Sequence, residues 1–136
     1  MDRTLSEMLK IYKPLSNLDW MNYVLKKEDV TYHHRIKKCN GGKKTIENGA
    51  ILMPIAHQYL HLIECLDIET YIALNNLFKI VNKQGYEPTR EQRELIEYLL
   101  KEFEKIHKWD KGLKGKILVQ KKYLERGFIW NTSLFE

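Results

Sequence analysis

The stretch Thr31–Leu62, "TYHHRIKKCNGGKKTIENGAILMPIAHQYLHL", holds four of the chain's five histidines and changes hydrophobic period part-way along. With Val30 in front, "VTYHHRI" is β-branched and aromatic, "CNGGKK" is turn chemistry, and "NGAILM" is a second short apolar run. Two such runs around a Gly-Gly loop predict a β-hairpin centred on Gly41-Gly42. Pro54 then suits the first turn of a helix. In "PIAHQYLHLIECL" an apolar stripe of Ile55, Tyr59, Leu62, Ile63 and Leu66 forms one helical face. At about 100° per residue, His57 and His61 lie one turn apart on the opposite side. Two strands leading into one helix therefore carry all four histidines.

The flanks read as helical. "TLSEMLKIY" places Thr4 and Glu7 in capping-box spacing, with Leu5, Met8, Leu9 and Tyr12 on one face and Pro14 as a stop. "SNLDWMNYVLKK" spaces Leu18, Met21, Val24 and Leu25 as a second helix capped by Ser16 or Asn17. Beyond the window, a helix is expected from Asp67 to Gly85. Another opens at Thr89 and Gln92, again in capping-box spacing, and carries Leu95, Ile96, Leu99, Leu100, Phe103 and Ile106. "KQGYEPT" would join these two as an antiparallel pair. The segment 111–136 fits strand or helix equally and interleaves Lys114, Lys116, Lys121, Lys122 and Arg126 with Tyr123, Phe128 and Trp130. That interleaving suits nucleic-acid stacking or simple core cover in equal measure.

At 136 residues, with 43% hydrophobic and 30% charged side chains, the chain has the composition of one ordinary soluble domain. No apolar run approaches the ~20 residues that cross a bilayer, so no membrane partner is expected. The N-terminal segment lacks a signal-peptide core. Cys39 and Cys65 are too few for a disulfide framework, which points to a reducing cytoplasm. The net charge of +5 is uneven: residues 31–61 set Arg35, Lys37, Lys38, Lys43 and Lys44 against Glu47 alone. A polyanion is the natural partner for such a region, and those five side chains are its candidate phosphate contacts.

Neutral imidazole is the commonest metal ligand, and a pair at i, i+4 can grip one ion from one helix face. His57 and His61 have that spacing. Adjacent strand residues point to opposite faces, so His33 and His34 cannot be equivalent: one can join an ion while the other faces a substrate as a base.

The order His33-His34, Gly41-Gly42, Asn48, His57 and His61 resembles the HNH (ββα-metal, His-Me finger) endonuclease family. Over about Thr31–Glu64 it matches that family's paired His, Gly-Gly loop, central Asn and closing helical His. The last two histidines also match the triple-histidine site of colicin-type nucleases. The resemblance implies an α+β fold, with a small ββα-metal unit (30–66) embedded in a mostly helical single domain. Around that unit would lie an N-terminal helical segment (1–29), a C-terminal helical pair (67–110) and a basic aromatic tail (111–136). It implies one divalent cation, Zn²⁺, Ni²⁺, Mn²⁺ or Mg²⁺, on His33, His57 and His61. His34 would be the general base, and Asn48 would fix the loop that aims it. The reaction implied is phosphodiester hydrolysis, with DNA as the expected substrate. The alternative is an inactive module of the same fold, a phage-type inhibitor or DNA-binding protein with a structural metal; a protein partner or homodimer stays open.

The chain departs from the family in three ways. The CxxC pairs of many members are absent, Gly49 follows Asn48 where an aliphatic residue is usual, and His33 stands where an acid often does. A nitrogen-rich set suits Zn²⁺, Ni²⁺ or Mn²⁺ better than Mg²⁺.

Overall fold

The hairpin is present, and its register decides which histidine faces the core. β1 (Thr31–His34) and β2 (Gly49–Leu52) pair antiparallel, with Thr31 opposite Leu52, His33 opposite Ala50 and His34 opposite Gly49. The structure is a computed structural model describing residues 2–13 and 15–107. Pro14, expected to stop the first helix, and the 111–136 segment lie outside the described residues. Among the described residues four helices stand around the sheet: α1 (Arg3–Ile11), α2 (Pro54–Leu66), α3 (Ile68–Gln84) and α4 (Arg90–His107). The fold is mostly helical with one small sheet, α+β at that level.

Helix ends follow local chemistry. Thr89 and Gln92 close a reciprocal capping box at the start of α4: Gln92 N donates to Thr89 Oγ1 at 3.2 Å and Thr89 N to Gln92 Oε1 at 2.8 Å. Asp67 caps α3 by accepting from Thr70 N, and Gly85 ends it at φ 79°, a left-handed geometry that glycine adopts without strain. The box expected at Thr4 and Glu7 does not form. Asp2 is the cap instead, accepting from Thr4 N at 2.8 Å, and Glu7 pairs with Arg3 along the helix surface.

Residues 15–27 are not the helix that their apolar spacing suggests. Asn17 and Asn22 sit at φ 59° and 70°, a conformation asparagine tolerates and a right-handed helix forbids. Leu18 and Val24 bridge antiparallel across the resulting loop. The Asp19 carboxylate organises it. Oδ1 accepts from Met21 N at 2.8 Å and Tyr23 N at 2.9 Å, while Oδ2 accepts from Met53 N at 2.8 Å, just before α2. A side chain that satisfies nearby backbone donors competes with helix formation, and here it wins.

All of β2 is buried, and several elements converge on it. Trp20 N donates to Ile51 O at 3.1 Å. From α3, Asn82 Nδ2 donates to Ile46 O at 2.6 Å and Gly49 O at 2.9 Å. Gly49 lets α1 approach, because a Cβ there would come within 2.5 Å of the Tyr32 ring and 2.8 Å of Met8. Met8, Trp20, Leu52, Ile55, Leu60, Ile63, Leu74 and Phe78 make the centre of the core.

Asp19→Ala strands three buried N–H groups, so it should destabilise the protein by about 2–4 kcal/mol. Asp19→Asn, which keeps an acceptor for Met21 and Tyr23 but turns a donor toward Met53, should fall between. Urea unfolding at pH 7 measures both; a loss below about 0.5 kcal/mol for the alanine variant would contradict the role given to the carboxylate.

Candidate metal centre

His33, His57 and His61 come together. β1 carries His33 into the interior, where it is 1% exposed. Its ring centroid lies 5.4 Å from that of His57 and 6.1 Å from that of His61, with Tyr71 at 6.3 Å and Phe78 at 6.0 Å. The helical spacing stacks His57 on His61 at 4.9 Å and 27°. One nitrogen from each of the three rings lies within 4.8 Å of the others. A tetrahedral ion holding nitrogens at about 2.0–2.1 Å needs them roughly 3.4 Å apart. His61 is exposed on α2, so rotation of its ring is the adjustment that would close the set.

The remaining ring nitrogens have partners. Thr31 Oγ1 gives its proton to Leu52 O at 2.8 Å and so accepts, at 2.9 Å, from His57 Nδ1. That leaves the lone pair of His57 on Nε2. His61 Nδ1 lies 3.3 Å from Glu64 Oε1, and a carboxylate accepts, which leaves Nε2 free there too. His33 Nε2 sits 2.8 Å from Asn75 Oδ1 on α3. Imidazoles oriented through their second nitrogen by oxygen acceptors are what a divalent ion requires. Burial, reinforced by neighbouring imidazoles, pushes His57 down to about 4; burial pushes His33 to about 4 as well, against the Asn75 bond that raises it. Both are neutral, and competent as ligands, at pH 7. Among the described residues no Cys, Asp or Glu joins the three histidines.

His34 faces the other side of the strand, edge-on to the Tyr32 ring at 4.8 Å and partly exposed. Burial, then the nearby Lys38 and Lys44 charges, lower its pKa from the usual histidine range. Asn48 is buried and ties the loop to β2. Its Oδ1 accepts from Ile36 N at 2.7 Å, and its Nδ2 donates to Ile36 O and Lys43 O, both at 3.0 Å. Arg35 N adds a bond to Asn48 O at 2.8 Å.

The five basic candidates separate. Lys37 is ion-paired with Glu64, and Lys44 is ion-paired with Asp2 and lies 5.4 Å over the Tyr32 ring. Among the described residues, Arg35 Nε is buried without a hydrogen-bond partner. Lys38 and Lys43 are exposed. Cys65 is exposed like Cys39, because its position on α2 turns away from the core.

Sequence reading passed over Thr31 and Asn75. Glu64, three residues after His61, carried a visible local signal; Asn75, 42 residues from His33, carried none. No protein-family model, curated protein or solved structure matches the chain.

The ionisation of His33 and His57 contributes to the acid limb of the metal-free protein. His33 and His57 bind protons in the unfolded chain near 6.5 but in the folded one only near 4, so between these values unfolding takes up protons and stability rises with pH. Asp19 acts oppositely: burial holds its carboxyl at about 6, so the folded state binds the extra proton between about 4 and 6. Two groups outweigh one. Stability of chelator-treated protein should fall by on the order of a few kcal/mol from pH 7 to pH 4.5. His57→Gln should flatten the slope; a urea midpoint independent of pH over that range would refute the account.

Proposed function

We propose that this chain is a metal-dependent endonuclease of HNH type that hydrolyses phosphodiester bonds in nucleic acid, with DNA as its substrate. The observation that carries the reading is a three-histidine ligand set with no fourth ligand from the described residues, beside a fourth histidine on the opposite strand face. Structural zinc sites are closed by four protein ligands, whereas catalytic sites leave a position for water or substrate.

Each residue then has a defined task. His33, His57 and His61 hold the cation, which when bound offsets negative charge developing on the phosphate. His34 takes the proton from the attacking water. Its lowered pKa keeps the imidazole neutral at pH 7, the form a general base needs. Asn48 holds residues 35–43 against β2 and so fixes the direction of His34. Lys38 and Lys43 are free to meet backbone phosphates at the loop. One observation favours the second reading, an inactive module of the same fold with a structural metal: Lys37 and Lys44 are already ion-paired within the protein.

Plasmid nicking with Mg²⁺, Mn²⁺, Ni²⁺ or Zn²⁺, with and without chelator, separates the two. His34→Ala should lower metal-dependent cleavage by about 10²-fold or more while zinc affinity stays within a few-fold. His57→Ala should lose both. Wild-type protein that binds these ions but cuts neither duplex nor single-stranded nucleic acid would leave the binding module standing.

A further inference from the structure

His33 differs from the other two candidate ligands in the nitrogen that is already engaged. Thr31 and Glu64 take the Nδ1 positions of His57 and His61, whereas Asn75 takes Nε2 of His33. We propose that Asn75 is the positioning residue of the centre: by accepting from His33 Nε2–H it commits His33 to bind the cation through Nδ1, while His57 and His61 bind through Nε2. This rests on the metal-centre part of the proposed function and not on the hydrolytic part.

Burial and geometry lead there. The His33 ring is buried, so its N–H must find a protein acceptor, and Asn75 Oδ1 at 2.8 Å is the one the structure supplies. A flipped amide would place Nδ2 against His33 Nε2 and force the proton onto Nδ1, which faces away from Asn75; a buried imidazole in that tautomer has no lone pair left for an ion. The structure places Oδ1, not Nδ2, against His33 Nε2.

Asn75 belongs to α3, outside the hairpin and α2 that carry all three ligands. The ligand geometry of the hairpin is thereby set by a helix it packs against. Asn75→Asp keeps an acceptor at the same reach, and Asn75→Leu keeps the volume and removes the acceptor.

Long-range ¹H–¹⁵N correlation on the full chain with ¹⁵N-labelled histidine reads the protonated nitrogen of each ring directly, and zinc titration reads affinity. The wild-type metal-free protein should show His33 as the Nε2–H tautomer, and zinc should shift its Nδ1 but the Nε2 of His57 and His61. Asn75→Leu should lose that tautomer preference and weaken zinc binding by roughly 10–100-fold, with Asn75→Asp restoring both. The thermal midpoint of the metal-free variants checks that they fold. Zinc on His33 Nε2, or wild-type affinity in folded Asn75→Leu, overturns the inference while the metal centre stands. Wild-type protein that binds no zinc overturns the metal centre and the ion-binding half of the inference; the tautomer in metal-free wild type and Asn75→Leu still decides whether Asn75 fixes the ring.

Discussion

Strand register is the constraint on which this structure depends. Two four-residue strands cannot hold themselves in water, and a slip of one residue would exchange the faces of His33 and His34. Register here is imposed from outside the pair. Trp20 N bonds Ile51 O on β2, Asn82 bonds Ile46 O and Gly49 O, and α1 packs Met8 where Gly49 has no side chain. Asp19 ties the 15–25 loop to Met53, the residue just before α2. The hairpin is therefore locked by contacts that have nothing to do with imidazole chemistry, yet that chemistry exists only in this register.

The same register sets the electrostatics. His33 is forced into the core against Phe78 and Tyr71, where an imidazolium is disfavoured, so the ring is neutral and its single N–H must be satisfied. His34, one residue on, points the other way into a surface of lysines, and its pKa falls for a different mix of reasons: modest burial and like charge. Adjacent histidines thus differ in burial, partner and exposure. Of the two, His33 is the one that joins the group of three that could hold an ion.

The legible parts of the sequence were those decided locally. The capping box at Thr89 and Gln92, the Asp67 cap and Gly85 stop of α3, and Pro54 at the head of α2 each read correctly because the partner lies within four residues. The i, i+4 pair His57 and His61 is legible for the same reason. Failures came where a distant group decided. The helical spacing of Leu18, Met21, Val24 and Leu25 is real, but the Asp19 carboxylate, facing Met53 34 residues away, holds the segment as a loop. Thr4 and Glu7 have the right spacing, but Asp2 reached the free N–H groups first. Asn75 is one of several asparagines on α3, and nothing near it in the chain marks it as facing His33.

The centre differs in kind from small zinc units in which metal binding and folding are one event. His33 in the core and the half-buried His57 are already oriented by oxygen acceptors, and burial keeps both rings neutral. An ion entering such a site has little proton release or chain ordering to drive at those two positions, so its binding free energy need not be spent on folding. The one exposed ligand, His61, is held by Glu64, whose other partner is Lys37 on the hairpin loop. Lys37, Glu64 and His61 thus form one chain of contacts from the hairpin loop to the most exposed of the three histidines.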